Sequence, residues 1–337
     1  MAEEELVIAR VCDLYEKISK LDSLKPSNDV NMLFTHLVNM CIPSYPNLDI
    51  SKLSDQVQQI RSNLIRLCGQ AEGLLESHYS AILGSFQNPL NHLSLFPYFS
   101  NYLKLSQLEF TILTQHFNRV PTRVAFIGSG PLPLTSLVLA TTHLTKTSFH
   151  NYDIDKSAND LAAKLVQSDP DMSSRMSFHT ANILDVCGEL EEFEVVFLAA
   201  LVGMDMEEKV KVIDHLAKHM APGATLMLRS AHGARAFLYP VVQPSDLRGF
   251  EVLSVFHPMD EVINSVVIAR KFPDDHHDHD DVVVDDLQEQ AAASSLATNL
   301  IVPNKCCCEQ MRGTYNHLGQ MKINNILEEL AMEEHIA

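Results

Sequence analysis

The sequence predicts an α/β protein in which an all-helical N-terminal domain, residues 1–120, precedes a doubly wound seven-stranded sheet, residues 121–272. Three observations support this prediction. Apolar residues recur at helical spacing through the first segment, and apolar strand-like segments then alternate with helix-length connections. The last two strand-like segments lie too close together for a helix between them. Residues 273–337 form an acidic, low-complexity tail that we expect to be largely disordered.

Four helices are predicted before residue 120. In the first, apolar residues recur alternately four and three positions apart, which places them on one helix face. Ser27 stands where it can cap the second helix. A longer stripe extends from Val57 to Ile82, and a fourth helix is predicted from about Asn101 to Phe117. Prolines lie between these patterns and are expected to separate the helices.

Seven strand-like segments follow in residues 122–272. Helix-length connections separate the first five, which favours parallel strands joined by right-handed crossovers. Only residues 258–263 separate the last two, so these strands are predicted to form an antiparallel hairpin. This layout is typical of folds like that of the S-adenosylmethionine (SAM) methyltransferases, whereas a plain dinucleotide fold ends on a parallel sixth strand. The segments lie near 123–128, 148–153, 176–181, 194–200, 224–230, 250–257 and 264–271.

The loop after the first strand, Gly128-Ser129-Gly130-Pro131, has the character of a nucleotide-binding turn. Glycines let backbone N–H groups approach a ligand, and the start of the helix predicted behind the loop adds a partial positive charge. Pro133 stands where a dinucleotide fingerprint has its third glycine, which brings helix, strand and pyrophosphate together. We therefore expect a nucleoside ligand that has no pyrophosphate.

Further candidates follow the next three strands, where ligands of such sheets bind. Asp153 ends the second strand and is predicted to accept hydrogen bonds from both ribose hydroxyls. Asn182 follows the third strand, and its amide is predicted to contact the adenine edge. Ala199 and Ala200 begin the loop after the fourth strand. Ordinary loop chemistry explains each feature separately, but their order along the strands favours a nucleoside site.

The loop that begins at Ala199 also argues against one class of transferase. Methyltransferases that act on exocyclic nitrogens usually have a polar, proline-rich motif at this position, which holds the amine. Here the loop reads AALVG and has no polar side chain that could hold or deprotonate an acceptor. A general base must therefore come from elsewhere, and the helical N-terminal domain is the expected source because it can cover the pocket.

Five segments of the chain resemble the nicotianamine synthase family of plants, and the resemblance extends over about residues 1–272, across both predicted domains. The segments are FPYFSNY (96–102), TRVAFIGSGPLP (122–133), VVFLAALVGM (195–204), RSAHGAR (229–235) and DEVINSV (260–266). The resemblance implies that three SAM molecules are condensed by transfer of aminocarboxypropyl groups, with release of three methylthioadenosines. It also implies that SAM is the substrate, that no cofactor or metal is required, and that the product, nicotianamine, chelates iron, zinc, copper and nickel.

The resemblance also implies roles for three residues of the helical domain. Glu76 is the implied general base, and Tyr102 is its neighbour at the reacting amine. Glu109 lies seven residues after Tyr102 on the same helix face and is a further candidate. Each has a structural alternative: Glu76 as a solvated glutamate, Tyr102 as a packing aromatic, and Glu109 as a charge paired with the sheet domain.

Four residues on or after the fifth strand are predicted to bind substrate carboxylates, although a structural role as a helix cap explains any one of them nearly as well. They are Arg229, His232, Arg235 and Tyr239.

Composition excludes several classes of protein. The net charge is −18, and residues 273–337 hold 13 acidic and only 3 basic residues, so nucleic acid is not an expected partner. No apolar run is long enough to cross a membrane, and the first residues, MAEEE, do not resemble a signal peptide. Seven cysteines without a CxxC pair favour a reducing, cytoplasmic location. Nothing in the composition indicates an oligomeric state.

The tail contains residues that often bind metals, namely His276, His277, His279 and the run Cys306–Cys308. Their spacing lacks the paired ligands of a defined structural site, so a solvated acidic tail is favoured over weak metal binding. Two rivals to a nicotianamine synthase remain at this point. One is an ordinary SAM-dependent small-molecule methyltransferase, and the other is a non-enzymatic metal-handling protein that works through its tail.

Overall fold

The structure, a computed structural model, describes residues 2–42 and 48–273. The predicted acidic tail, with its histidine run and with Cys306–Cys308, lies outside the described residues. The described residues on both sides of position 120 belong to one compact unit, Met1–Asp274. The division into two domains at residue 120 therefore stays a prediction.

Four long helices precede the sheet, as predicted. Ser27 accepts a hydrogen bond from the Val30 backbone N–H at 3.3 Å and caps the second helix. Ser54 caps the third helix in the same way, through the Val57 N–H at 3.4 Å. Within the described ranges, no helix combines the length and the apolar character that a bilayer span requires. The helices are α1 (Ala2–Ile18), α2 (Asn28–Cys41), α3 (Asp55–Leu83) and α4 (Phe99–His116).

A seven-stranded sheet follows, in the order β3-β2-β1-β4-β5-β7-β6. The first five strands are parallel, whereas β7 runs antiparallel between β5 and β6. Both the parallel strands and the terminal hairpin are therefore confirmed. The strands are β1 (Arg123–Ile127), β2 (Ser148–Asp153), β3 (Met176–Thr180), β4 (Val195–Leu198), β5 (Thr225–Ser230), β6 (Phe250–Phe256) and β7 (Ser265–Lys271).

α-Helices connect β1 to β2, β2 to β3 and β4 to β5, whereas only two short 3₁₀ turns, Ile183–Asp185 and Gly188–Glu192, lie between β3 and β4. The α-helices are α5 (Leu134–Val138), which continues into a π-helical turn at Leu139–His143, α6 (Lys156–Val166), α7 (Pro170–Arg175) and α8 (Met206–His219). The strand order reverses at β1, which lies between β2 and β4. In open α/β sheets, ligands bind at such a reversal, beyond the carboxyl ends of the strands.

The helical region covers one face of the sheet. Successive residues of a strand point to opposite faces. Phe126 of β1 accordingly packs in one apolar cluster with Ile112 of α4, and Ile127 packs in another with Ile213 of α8. Burial of these apolar side chains, at roughly 25 cal/mol per Å² of area removed from water, holds α4 against the sheet. This packing brings the N-terminal helices to the switch point at β1.

Candidate active site

A cleft of about 920 Å³ opens at the carboxyl ends of β1, β2 and β4, with α3 along one side. Its volume falls in the range of roughly 300–1,000 Å³ that is usual for small-molecule sites. All the predicted site residues line this cleft except Glu109, His232 and Arg235. Those that line it are Glu76, Tyr102, Gly128, Ser129, Gly130, Pro131, Asp153, Asn182, Ala199, Ala200, Arg229 and Tyr239.

The glycine loop differs from a phosphate cradle in one respect. The backbone N–H groups of Gly128 and Ser129 both donate to the Tyr152 carbonyl, at 2.8 and 3.2 Å. The Gly130 N–H donates to Oδ2 of Asp153 at 2.8 Å. These three donors are thus used within the protein, although the loop itself lines the cleft, so its contact with a ligand stays a prediction. Ser129 Oγ is buried and has no hydrogen-bond partner among the described residues, which makes it the polar group that this loop can offer.

Asp153 and Asn182 are held in place by backbone contacts. Oδ1 of Asp153 accepts the Asp155 N–H at 2.9 Å, and Oδ2 accepts the Gly130 N–H. Oδ1 of Asn182 accepts the Leu184 N–H at 3.1 Å and caps a short turn. Each carboxylate oxygen has a second lone pair, and the Asn182 amide nitrogen retains two donors. Both side chains therefore keep the capacity that their predicted contacts with ribose and adenine require.

A buried lysine, not identified from the sequence, holds the loop after β4. Nζ of Lys209 donates to the carbonyl oxygens of Ala200 at 2.8 Å and of Ala199 at 3.3 Å. The side chain is fully buried, and this burial lowers its pKa to about 7 although the Glu208 carboxylate acts in the opposite direction. Lys209 lies in the acidic first turns of α8, where the sequence does not distinguish it from a solvated lysine.

We expect Lys209 to make the stability of the protein depend on pH. In the unfolded chain a lysine binds its proton up to about pH 10.4, whereas the folded protein releases it near pH 7. The unfolded state therefore binds more protons between these values, and the free energy of unfolding rises with pH there. Compared with a Lys209→Met variant, the wild type should gain about 2 kcal/mol between about pH 7 and pH 9 in urea unfolding. If the free energies of unfolding of the two proteins changed with pH in the same way, this expectation would be contradicted.

Two glutamates and two tyrosines form a cluster at the cleft, in which Glu76 is buried and Glu72, Tyr102 and Tyr239 are half-buried. Glu72 and Glu76 lie one turn apart on α3, so they share a helix face. The Tyr102 hydroxyl is 3.1 Å from Oε1 of Glu76 and 3.3 Å from Oε1 of Glu72, and its single proton serves one of them at a time. The Tyr239 hydroxyl donates to Oε2 of Glu72 at 3.0 Å. Glu76 is only 8% exposed, which excludes a solvated surface glutamate.

Burial, followed by the charge of Glu72, raises the pKa of Glu76 well above its usual value. Burial also raises the pKa of Glu72, against the opposing effect of the Tyr239 and Tyr102 hydroxyls. The pKa of Tyr102 is raised well above its usual value by burial and by the two carboxylates, so the tyrosine stays protonated and donates. Glu76 is thus a carboxylate whose affinity for a proton is increased, which suits a general base. Glu72 was missed as a site residue, although its four-residue spacing from Glu76 was visible in the sequence.

Glu109 does not line the cleft. Its two oxygens accept hydrogen bonds from Nε and Nη2 of Arg229 at 2.7 and 2.9 Å. Arg229 Nη2 also donates to Oγ1 of Thr135 at 2.6 Å. Glu109 and Arg229 are 1% and 7% exposed. The placement of Glu109 at the reacting groups is therefore corrected: both carboxylate oxygens are used to hold Arg229, which itself lines the cleft.

The predicted carboxylate-binding group separates into two parts. Arg229 and Tyr239 line the cleft, but His232 and Arg235 do not. The buried Arg235 guanidinium donates to the carbonyl oxygens of Pro258 and Asp260, in the connection between β6 and β7. The exposed His232 ring stacks on His257 with centroids 4.0 Å apart. Both residues are therefore engaged elsewhere, although Tyr239, which follows them in the chain, reaches the cleft.

The chain is similar to known proteins in both sequence and fold. The sequence profile of the family described as nicotianamine synthase protein matches residues 1–276. The chain is 61% identical over 328 residues to nicotianamine synthase of Solanum lycopersicum, with 97% of this chain and 98% of that protein covered. It is 66% identical over 273 residues to nicotianamine synthase 3 of Arabidopsis thaliana, with 80% and 85% covered. The tomato alignment extends beyond the resemblance expected for residues 1–272.

Solved structures share the fold. MtNAS in complex with MTA and tNA superposes with a TM-score of 0.66 and 23% identity, covering 79% of this chain and 97% of that chain. A glutamate-to-glutamine variant of MtNAS in complex with S-adenosylmethionine also gives a TM-score of 0.66, at 20% identity, covering 79% and 98% of the two chains. These similarities confirm the predicted fold class.

Proposed function

The chain belongs to the nicotianamine synthase family, and we propose from this premise how its cleft carries out the reaction. The protein is an enzyme that transfers aminocarboxypropyl groups from SAM and releases methylthioadenosine. Three SAM molecules supply one nicotianamine, whose carboxylates and amines chelate iron, zinc, copper and nickel and give the enzyme a role in metal homeostasis. The free thiols of Cys12, Cys41, Cys68 and Cys187 support a reducing, cytoplasmic location.

The nucleoside end of SAM is assigned to the loops that follow β1, β2 and β3. Asp153 accepts the ribose hydroxyls, and the Asn182 amide donates to the adenine edge. Ser129 contributes its unpartnered hydroxyl. Arg229 serves a substrate carboxylate through Nη1, the guanidinium nitrogen that the Glu109 and Thr135 contacts leave unused. These contacts orient the γ carbon of SAM, and not its methyl group, toward the nucleophile.

Each transfer is a substitution at that γ carbon. An α-amine loses a proton to the Glu76 carboxylate, and its nitrogen lone pair attacks the γ carbon of a second SAM. A C–N bond forms, the C–S bond breaks, and its electron pair remains on sulfur in methylthioadenosine. The same attack within one molecule closes the azetidine ring. Tyr102 positions the Glu76 carboxylate through its 3.1 Å hydrogen bond.

The burial of Glu76 between Tyr102 and the glycine loop carries this proposal, because it places a carboxylate of raised pKa against the nucleoside site. Incubation of the full chain with SAM alone tests it. We expect methylthioadenosine and nicotianamine, in the ratio of three to one that the reaction requires. S-Adenosylhomocysteine that appears only with an added acceptor would instead support an ordinary methyltransferase.

Gly130 is expected to be intolerant of a side chain. Its φ is +66°, and a Cβ there would lie 2.7 Å from Oε2 of Glu76. Gly130→Ala should therefore strain the loop and displace the Glu76 carboxylate, with about 10²-fold slower methylthioadenosine formation. Gly73→Ala is the matched control, because Gly73 also lines the cleft but has open space at its Cβ position. Equal rates in the two variants would contradict the close approach of the loop to Glu76.

Glu72 is expected to set the pH dependence of the reaction through Glu76. The base works as a carboxylate, so activity is lost as the pH falls through its pKa. Since the charge of Glu72 raises the pKa of Glu76, Glu72→Gln should move the acid limb of the kcat profile to lower pH. Asp153 and Arg229, the other charges acting on Glu76, are unchanged in this variant. An acid limb that does not move in Glu72→Gln would argue against Glu76 as the titrating group. Glu207→Gln, on the exposed side of α8, is the control and should leave the acid limb at the wild-type pH.

A further inference from the structure

Outside the cleft, three side chains have the composition of a transition-metal site. They are Cys187, His215 and His219, and their possible ligand atoms all lie within 4.8 Å of one another. Cys187 is exposed and the two histidines are half-buried, so an ion can reach the group from solvent. None of the three lines the cleft. The transfer reaction described above therefore does not use them.

The fold holds these residues together from two elements. His215 and His219 are one turn apart on α8, with ring centroids 4.5 Å apart. Cys187 comes from the segment between β3 and β4, immediately before a short 3₁₀ turn at Gly188–Glu192. Its neighbour Val186 is buried in one apolar cluster with Ile213 of α8. The thiol is thus held beside the histidines by packing that does not depend on a metal.

The hydrogen bond of His215 fixes which nitrogen is available. Nε2 of His215 lies 2.7 Å from the carbonyl oxygen of Val186. A carbonyl oxygen only accepts, so Nε2 carries the proton, and in the neutral ring Nδ1 keeps its lone pair. A ring N–H donated to a backbone carbonyl is the usual outer contact of a metal-binding histidine, because it fixes the tautomer and the ring orientation. Here the same contact also joins His215 to the residue before Cys187.

We propose that Cys187, His215 and His219 bind a divalent transition metal ion of the zinc type. The ligands are the Cys187 thiolate, Nδ1 of His215 and one ring nitrogen of His219, with a water molecule in the fourth position. Thiolate and imidazole together suit zinc and also cobalt, nickel and copper. Binding releases the thiol proton, and the ion ties the segment after Asn182 to α8.

Cobalt(II) provides the test, because a bound thiolate gives a charge-transfer absorption band. The experiment uses the full-length chain with His276, His277, His279, His317 and His335 changed to alanine and Cys306–Cys308 changed to serine, which removes every histidine and cysteine of the tail. SAM is left out, so no chelating product forms. We expect one cobalt ion per chain and a thiolate band that zinc abolishes by displacement.

Two variants of that chain decide the outcome. Cys187→Ser should remove the band, and His219→Ala should weaken cobalt binding by at least about tenfold. Cys12→Ser, which changes a thiol outside the group, should leave the thiolate band and the cobalt affinity unchanged. Zinc should raise the Tm of the parent chain but not that of His219→Ala, which separates loss of binding from loss of folding. A chain without the band, or a band that survives Cys187→Ser, would overturn the proposal.

Discussion

Glu76→Gln is expected to slow the formation of methylthioadenosine and nicotianamine by about 10²–10⁴-fold, the usual contribution of a general base. Glutamine has the shape of glutamate, and its amide oxygen still accepts the Tyr102 hydrogen bond. It cannot, however, take the proton of the attacking amine. The sulfonium is a good leaving group, so deprotonation of the amine is the step that the protein must assist. SAM binding should remain close to that of the wild type.

Single-turnover assays and calorimetric titration with SAM measure these two quantities separately. Glu208→Gln is the matched control, since Glu208 also lines the cleft but does not contribute to the raised pKa of Glu76. A wild-type rate in Glu76→Gln would remove Glu76 from its role as base. Loss of SAM binding in the same variant would instead assign Glu76 to substrate binding.

Glu109→Gln is expected to lower the free energy of unfolding by about 3–5 kcal/mol, because it leaves the Arg229 guanidinium buried without its counter-charge. Both partners lie almost out of contact with solvent, and both guanidinium contacts with Glu109 are shorter than 3.0 Å. Water therefore screens this pair weakly, unlike the ion pairs at the surface. Urea unfolding of the purified variant measures the effect.

A double variant measures how strongly the charges of Glu109 and Arg229 depend on one another for stability. Glu109→Leu combined with Arg229→Met removes both charges, and it should be less destabilised than the sum of the two single variants. Glu207→Gln provides the surface comparison, because it breaks only the exposed pair with Lys211 and should leave the stability close to that of the wild type. Additive effects at Glu109 and Arg229 would show that the two charges do not compensate one another.

The pattern of apolar residues along the chain was sufficient to predict the fold class. Apolar residues at helical spacing located α1 to α4, and short apolar runs located all seven strands. The brief connection between β6 and β7 was enough to predict their antiparallel pairing. The order of strands also predicted which loops share an edge, so Gly130, Asp153 and Asn182 were expected in one site before the structure placed them in one cleft.

The assignment of side-chain partners required the packed chain. Glu109 and Arg229 are 120 residues apart in the chain. Lys209 has the sequence context of a solvated lysine, and only the structure shows its contacts with the carbonyl oxygens of Ala199 and Ala200. Periodicity shows which face of an element is apolar, but it does not show which polar group from another element will meet a buried charge. Burial and local dielectric arise from all the elements together. The tertiary packing therefore determines both the raised pKa of Glu76 and the position of Arg235 outside the cleft.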